Sequence, residues 1–111
     1  MKKYNVYLMP DAIKDLEEIY SYIADKSGYP ERAWKFVEKL RQKCHELETA
    51  PLRGQQRSDL IENLRIIPLE KKAVAAFLID EETQAVLILN IFYGGRDYEA
   101  LINAFPKKPY E

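Results

Sequence analysis

Ala85-Val86-Leu87-Ile88-Leu89-Asn90-Ile91-Phe92-Tyr93-Gly94-Gly95-Arg96-Asp97 is the stretch that decides how this chain folds. It opens as an apolar run rich in β-branched and aromatic residues, carries no charged side chain before Arg96, and stops at two glycines. A run of that kind, without polar alternation, predicts a strand buried on both faces and so placed inside a sheet. The glycine pair frees the backbone where the strand must turn. Arg96 is then presented at the rim of a rigid sheet, where functional side chains are often held.

Working outward, Ala73 to Ile79 and Leu64 to Ile67 predict two more strands, the second stopped near Pro68. Asp80 to Gln84 joins the last two strands as a hairpin loop of ordinary length. Tyr4 to Leu8 reads as a first strand with Tyr4, Val6 and Leu8 on one face. Pro10 and Asp11 open a helix, since proline suits its first position and an acid suits its positive end. Ala12, Ile13, Leu16, Ile19, Tyr20 and Ile23 form its core stripe, leaving Lys14, Asp15, Glu17 and Glu18 to water. Ser27 to Pro30 breaks the pattern, and a second helix places Ala33, Val37, Leu40, Cys44 and Leu47 on one face. So short a connection makes the two helices an antiparallel hairpin.

Pro51 to Asp59 has no apolar period and reads as a loop, Tyr98 to Ile102 as a short last helix, and 105–111 as a tail behind a single domain over 1–104. Lys71-Lys72 reads as a solvated turn between strands. The order is strand, helical hairpin, loop, three-stranded antiparallel meander and short C-terminal helix, an α+β chain with its helices segregated from the sheet.

The bulk numbers narrow the class. With 111 residues, 47% apolar and 32% charged, the chain has ordinary globular composition. A net charge of −1 and a pI near 5.9 disfavour a large phosphate-seeking surface. The one cysteine, Cys44, excludes an internal disulfide and fits a reducing compartment. There is no signal-peptide pattern and no window of about 20 apolar residues, so a soluble, cytoplasmic protein is expected. No cofactor or metal is expected.

Several short pieces line up along the chain: Met9-Pro10-Asp11-Ala12, Asp15-Leu16-Glu17-Glu18-Ile19, Tyr22-Ile23-Ala24, and Ala33 with Phe36. Pro51-Leu52-Arg53-Gly54, Arg57-Ser58-Asp59-Leu60, Asn63-Leu64-Arg65 and the closing Ile91 to Asp97 follow. In this order and at these spacings the set resembles the RelE/ParE family of bacterial toxins from type II toxin–antitoxin systems, the ParE (plasmid stabilisation) branch more than the RelE branch. The resemblance runs from Tyr4 to about Ile102. It implies a small sheet backed by a helical hairpin, and a cognate antitoxin as partner. Two departures stand out: Tyr93 sits where the family often has a histidine, and Asn90 near where a basic residue is common.

The family implies one of two activities. RelE-like members cleave ribosome-bound messenger RNA, which requires a base for the 2′-hydroxyl, an acid for the leaving oxygen and cations around the phosphate. ParE-like members inhibit DNA gyrase by binding. The only histidine, His45, lies about 100° round the helix from the core stripe and reads first as a surface residue. Tyr93 reads first as a packed strand-end ring and second as a proton donor. Arg53, Arg57, Arg65 and Arg96 are the candidates for a shared target surface, with Arg65 and Arg96 able to converge if their strands are neighbours. For Arg96 an internal pair with Asp97, Asp59 or a buried carbonyl is the competing role; for Arg53 and Arg57 it is plain solvation. Trp34 and Phe36, partly off the core stripe, are the antitoxin-binding candidates, since an amphipathic partner helix docks in an apolar groove.

Three functions follow. The first is a binding inhibitor of gyrase, favoured by the near-neutral pI. The second is a ribosome-dependent RNase using Arg65, Tyr93 and Arg96. The third is an antitoxin-binding module that has lost toxicity, suggested by Asn90 and Tyr93.

Overall fold

A computed structural model of the chain describes residues 3–70, 72–95 and 97–103. Lys71, Arg96 and the expected tail at 105–111 fall outside them. The elements run β1 (Asn5–Leu8), α1 (Pro10–Ser27), α2 (Pro30–His45), two short 3-10 turns (Glu46–Glu48 and Pro51–Arg53), β2 (Gln55–Gln56), β3 (Arg65–Pro68), β4 (Ala73–Asp80), β5 (Ala85–Tyr93) and α3 (Tyr98–Asn103). Five strands form one sheet in the order β1-β5-β4-β3-β2. β1 runs parallel to β5 and every other pairing is antiparallel. The α+β reading and the interior position of β5 hold.

The helices start and stop where the local chemistry dictates. Pro10 and Pro30 take the first helical positions, where a missing N–H costs nothing. Gly28 ends α1 in the left-handed region at φ 73°, its N–H closing on the Ala24 carbonyl. One face of the sheet carries the hairpin: Ala12, Leu16 and Ile19 of α1 and Val37, Leu40 and Cys44 of α2 bury against Ala75, Phe77, Val86, Ile88 and Ile91. The other face holds a second cluster, Leu64, Ile66, Ala76, Leu89 and Phe92, closed over by Ile102 of α3. Covering both faces is why β5 needs an unbroken apolar run.

The β4–β5 ladder breaks once. Ala76 faces Asn90 and Phe77 faces Ile88, so Leu89 is the extra residue of a bulge. Val86 and Ile88 face the hairpin before it, Ile91 and Tyr93 after it, so the bulge switches which parity of β5 looks at the helices.

Three expectations are corrected. Pro51 to Asp59 is more than a loop: it contains the second 3-10 turn and β2, whose two residues pair with β3 although neither is apolar. Ile13 is 43% exposed, while the rest of the expected stripe of α1 packs inward, Ala12, Leu16 and Ile19 buried and Tyr20 and Ile23 partly so. Asp15 faces water only in part; it is half-buried against β5. Leu47 is buried as expected, but from the 3-10 turn beyond α2.

Candidate functional site

A concavity lies between α1 and the end of β5. Asp15, Glu18, Ile19 and Tyr22 come from α1, and Ile91, Tyr93 and Gly94 from β5 and its turn, around about 330 Å³. On α1 these residues fall at three- and four-residue intervals, which puts them on one side of the helix. β5 reaches the cleft because it runs past its pairing with β1, which ends at Leu8–Ile88. Beyond that point the Ile91 N–H donates to Asp15 Oδ2 at 2.8 Å, and Asn90 Nδ2 donates to the same oxygen at 3.2 Å.

Burial pushes the Asp15 carboxyl above its ordinary range; its two donors pull the other way, and the like charges of Glu18 and Asp11 add to the rise. The aromatic wall is continuous. The Tyr93 ring meets Phe36 edge-to-face at 5.4 Å and Tyr22 at 6.2 Å. Lys26 Nζ stands 5.8 Å from the Tyr22 ring centroid. Gly94 and Gly95 turn the chain at φ 83° and 72°, and the Gly94 N–H is held by the Lys72 carbonyl at 2.9 Å. Among the described residues no neighbour lies within 4 Å of where a Gly94 Cβ would stand.

Three of the candidate arginines, Arg53, Arg57 and Arg65, lie elsewhere and meet the chain's own acceptors. Arg53 pairs with Glu46 at 3.3 Å. Arg57, its side chain 16% exposed, forks onto Asp59 at 2.8 and 3.0 Å, bonds Glu99, and reaches the Tyr98 hydroxyl. That arrangement raises the Arg57 pKa, through Asp59 first and Glu99 next, and lowers that of Asp59. Arg65 donates to the carbonyls of Gly54 at 2.7 Å and Leu52 at 3.4 Å. Arg65 stands opposite Phe77 and Tyr93 opposite Ala73, so four residues along β4 and one intervening strand separate them, roughly 16 Å of backbone. Arg65 and Tyr93 do not meet; Arg96 lies outside the described residues.

Trp34 and Phe36 lie two residues apart and so about 200° round α2. Phe36 packs inward on Tyr93, whereas Trp34 is 59% exposed over a groove with Ile13, Leu16, Tyr20 and Val37, edged by Glu17, Glu38 and Arg41. His45 is exposed at the end of α2. Cys44 is fully buried, and that burial pushes its thiol up to about 12. Among the described residues no three metal-ligating side chains come together, and no helix is long and apolar enough to cross a membrane. Sequence reasoning passed over Asp15, Glu18 and Tyr22; their three- and four-residue spacing beside Ile19 was the available signal.

Residues 6–98 match the family described as the ParE toxin of type II toxin-antitoxin system, parDE. No curated protein matches the chain. Among solved structures, the fold is similar to that of a chain of the chromosomal ParDE toxin–antitoxin system from P. aeruginosa: 24% identity, TM-score 0.71, covering 82% of this chain and 96% of that one. It is also similar to a chain of a RelBE toxin–antitoxin complex from Mycobacterium tuberculosis, at 20% identity and TM-score 0.59, over 83% of this chain and 99% of that one. A mutant of the E. coli toxin RelE in the free state shares 13% identity and a TM-score of 0.61, over 91% of this chain and 94% of that one.

Proposed function

Since the chain belongs to the ParE toxin family of type II toxin–antitoxin systems, we propose that, when free of its antitoxin, it inhibits DNA gyrase by occupying a surface, with no bond broken. The observation that carries this reading is the chemistry of the cleft. Carboxylates and phenol rings line it, while Arg53, Arg57 and Arg65 are held by internal acceptors. Phosphate-ester cleavage calls for the reverse, cations free to meet the phosphate beside a matched acid and base.

The antitoxin supplies the second half of the proposal. An amphipathic helix that folds as it binds suits the groove under Trp34, where Ile13 and Trp34 stay exposed and charged side chains of both signs mark the rim. Phe36, engaged by Tyr93, is the weaker of the two docking candidates.

Inducing the chain without antitoxin tests the reading. Growth arrest with a DNA-damage response ahead of any fall in protein synthesis is the expected outcome. Immediate translation arrest favours the RNase, and unimpeded growth favours a module without toxicity.

A further inference from the structure

We propose that the cleft between α1 and the end of β5 is a receptor for an arginine side chain presented by a protein partner. Asp15 is fixed in place because Oδ2 accepts from the Ile91 backbone and the Asn90 amide. Its other oxygen, Oδ1, accepts no hydrogen bond from the described residues, and Glu18 stands one helical turn away on the same lining. The ring planes of Tyr22 and Tyr93 meet at 65°, making a corner of aromatic surface beside the two carboxylates. Ile19 and Ile91 complete the wall with apolar surface.

A guanidinium matches each of these features. It is planar and stacks on an aromatic face, its fork reaches a carboxylate with two parallel N–H donors, and it sheds water more readily than an ammonium. The volume, about 330 Å³, accepts such a side chain together with bridging water. The like charges of Glu18 and Asp11 both push the Asp15 carboxyl upward, so the local field favours a cation beside it. An anion is disfavoured for the same reason. The partner's identity rests on the toxin reading; the chemistry of the cleft does not.

The test is an NMR titration of the full chain with N-acetyl-arginine-N-methylamide, its lysine counterpart, and the neutral isostere built on citrulline. The arginine probe should give saturable shifts at the Ile91 amide, the Asn90 side chain and the Tyr93 ring, with a Kd on the order of millimolar. The lysine probe should bind more weakly and the citrulline probe should leave those signals in place. Glu18→Gln, on an exposed helix position, should weaken the arginine probe about two- to fivefold. Equal shifts from citrulline or lysine, or shifts outside the cleft, overturn the proposal. Because the probes are single residues, that result stands apart from any gyrase assay, and failure of the toxin reading would leave it untouched.

Discussion

Asp15 of α1 accepts a hydrogen bond from the backbone N–H of Ile91 at 2.8 Å, so a helix side chain completes a strand just past its bulge. A backbone donor in the half-buried interior must find a partner, and β1 has ended before it could serve. The contact therefore fixes the rotation of α1 over the sheet and, with it, the cleft to which Glu18 and Tyr22 contribute.

Asp15→Ala should lower the unfolding free energy by about 1–3 kcal/mol in urea denaturation, the cost of orphaning such a donor. Asp15→Asn, which keeps an acceptor, should lose less. The acidity gives a second readout. Because the folded-state pKa of Asp15 is raised, chiefly by burial, its contribution is fullest below its unfolded value and is lost as pH climbs through the folded one. Measured against Asp15→Asn, the wild-type chain should lose stability as pH climbs from the ordinary carboxylate range through the raised folded-state value. A gap that widens in favour of wild type over that range would contradict the assignment.

Arg57 ties the segment before β3 to α3 through Asp59, Glu99 and the Tyr98 hydroxyl. Arg57→Ala should speed hydrogen exchange across Tyr98–Asn103 while leaving the β4 and β5 amides protected. The pH sense is opposite to that of Asp15. Asp59 has a lowered pKa, so its contribution is present at neutrality and disappears as acidification passes that folded value. Exchange in α3 should rise on acidification in wild type, and not in Arg57→Ala, once intrinsic exchange rates are divided out.

The legible parts of this fold were those with local causes. β5 announced itself because burial on both faces forbids polar alternation, and α1 and α2 because proline and an apolar period mark their starts and inner faces. What escaped was long-range. Asp15 and Asn90 are 75 residues apart, and no periodicity places a carboxylate over a bulge that Leu89 does not signal. Arg57 and Asp59 are near neighbours, but Glu99 lies 42 residues on, so solvation was the natural expectation for Arg57. β2 was missed because Gln55 and Gln56 pair by backbone alone at an edge. The spacing of Trp34 and Phe36 did hold the answer: two residues on a helix face different ways.

Gly54 has an ordinary φ of −75°, so its need for glycine is spatial. A Cβ there would stand 2.9 Å from Phe77 Cζ and 3.2 Å from the Ile66 carbonyl oxygen. Phe77 is fully buried and has nowhere to retreat. Gly54→Ala should cost about 1–3 kcal/mol by overpacking. In the Phe77→Leu background the same change should cost less, a non-additivity that a thermodynamic cycle reads directly. Equal losses in both backgrounds would remove the ring from the explanation.

Tyr93 offers its ring to Phe36 and Tyr22, and none of its contacts among the described residues runs through the hydroxyl. Tyr93→Phe should therefore keep both the fold and the growth arrest on induction, whereas Tyr93→Ala should weaken both by removing the aromatic wall. A Phe variant that folds normally yet no longer arrests growth would assign the hydroxyl a chemical role and return the RNase reading.

The most direct measurement is a supercoiling assay with purified gyrase, run beside a translation mixture given the same chain. Supercoiling should fall with increasing toxin, recover when antitoxin is added in equal amount, and leave ribosome-bound message intact. Unimpaired supercoiling at high excess, with new cuts in the message, would contradict inhibition by occupancy.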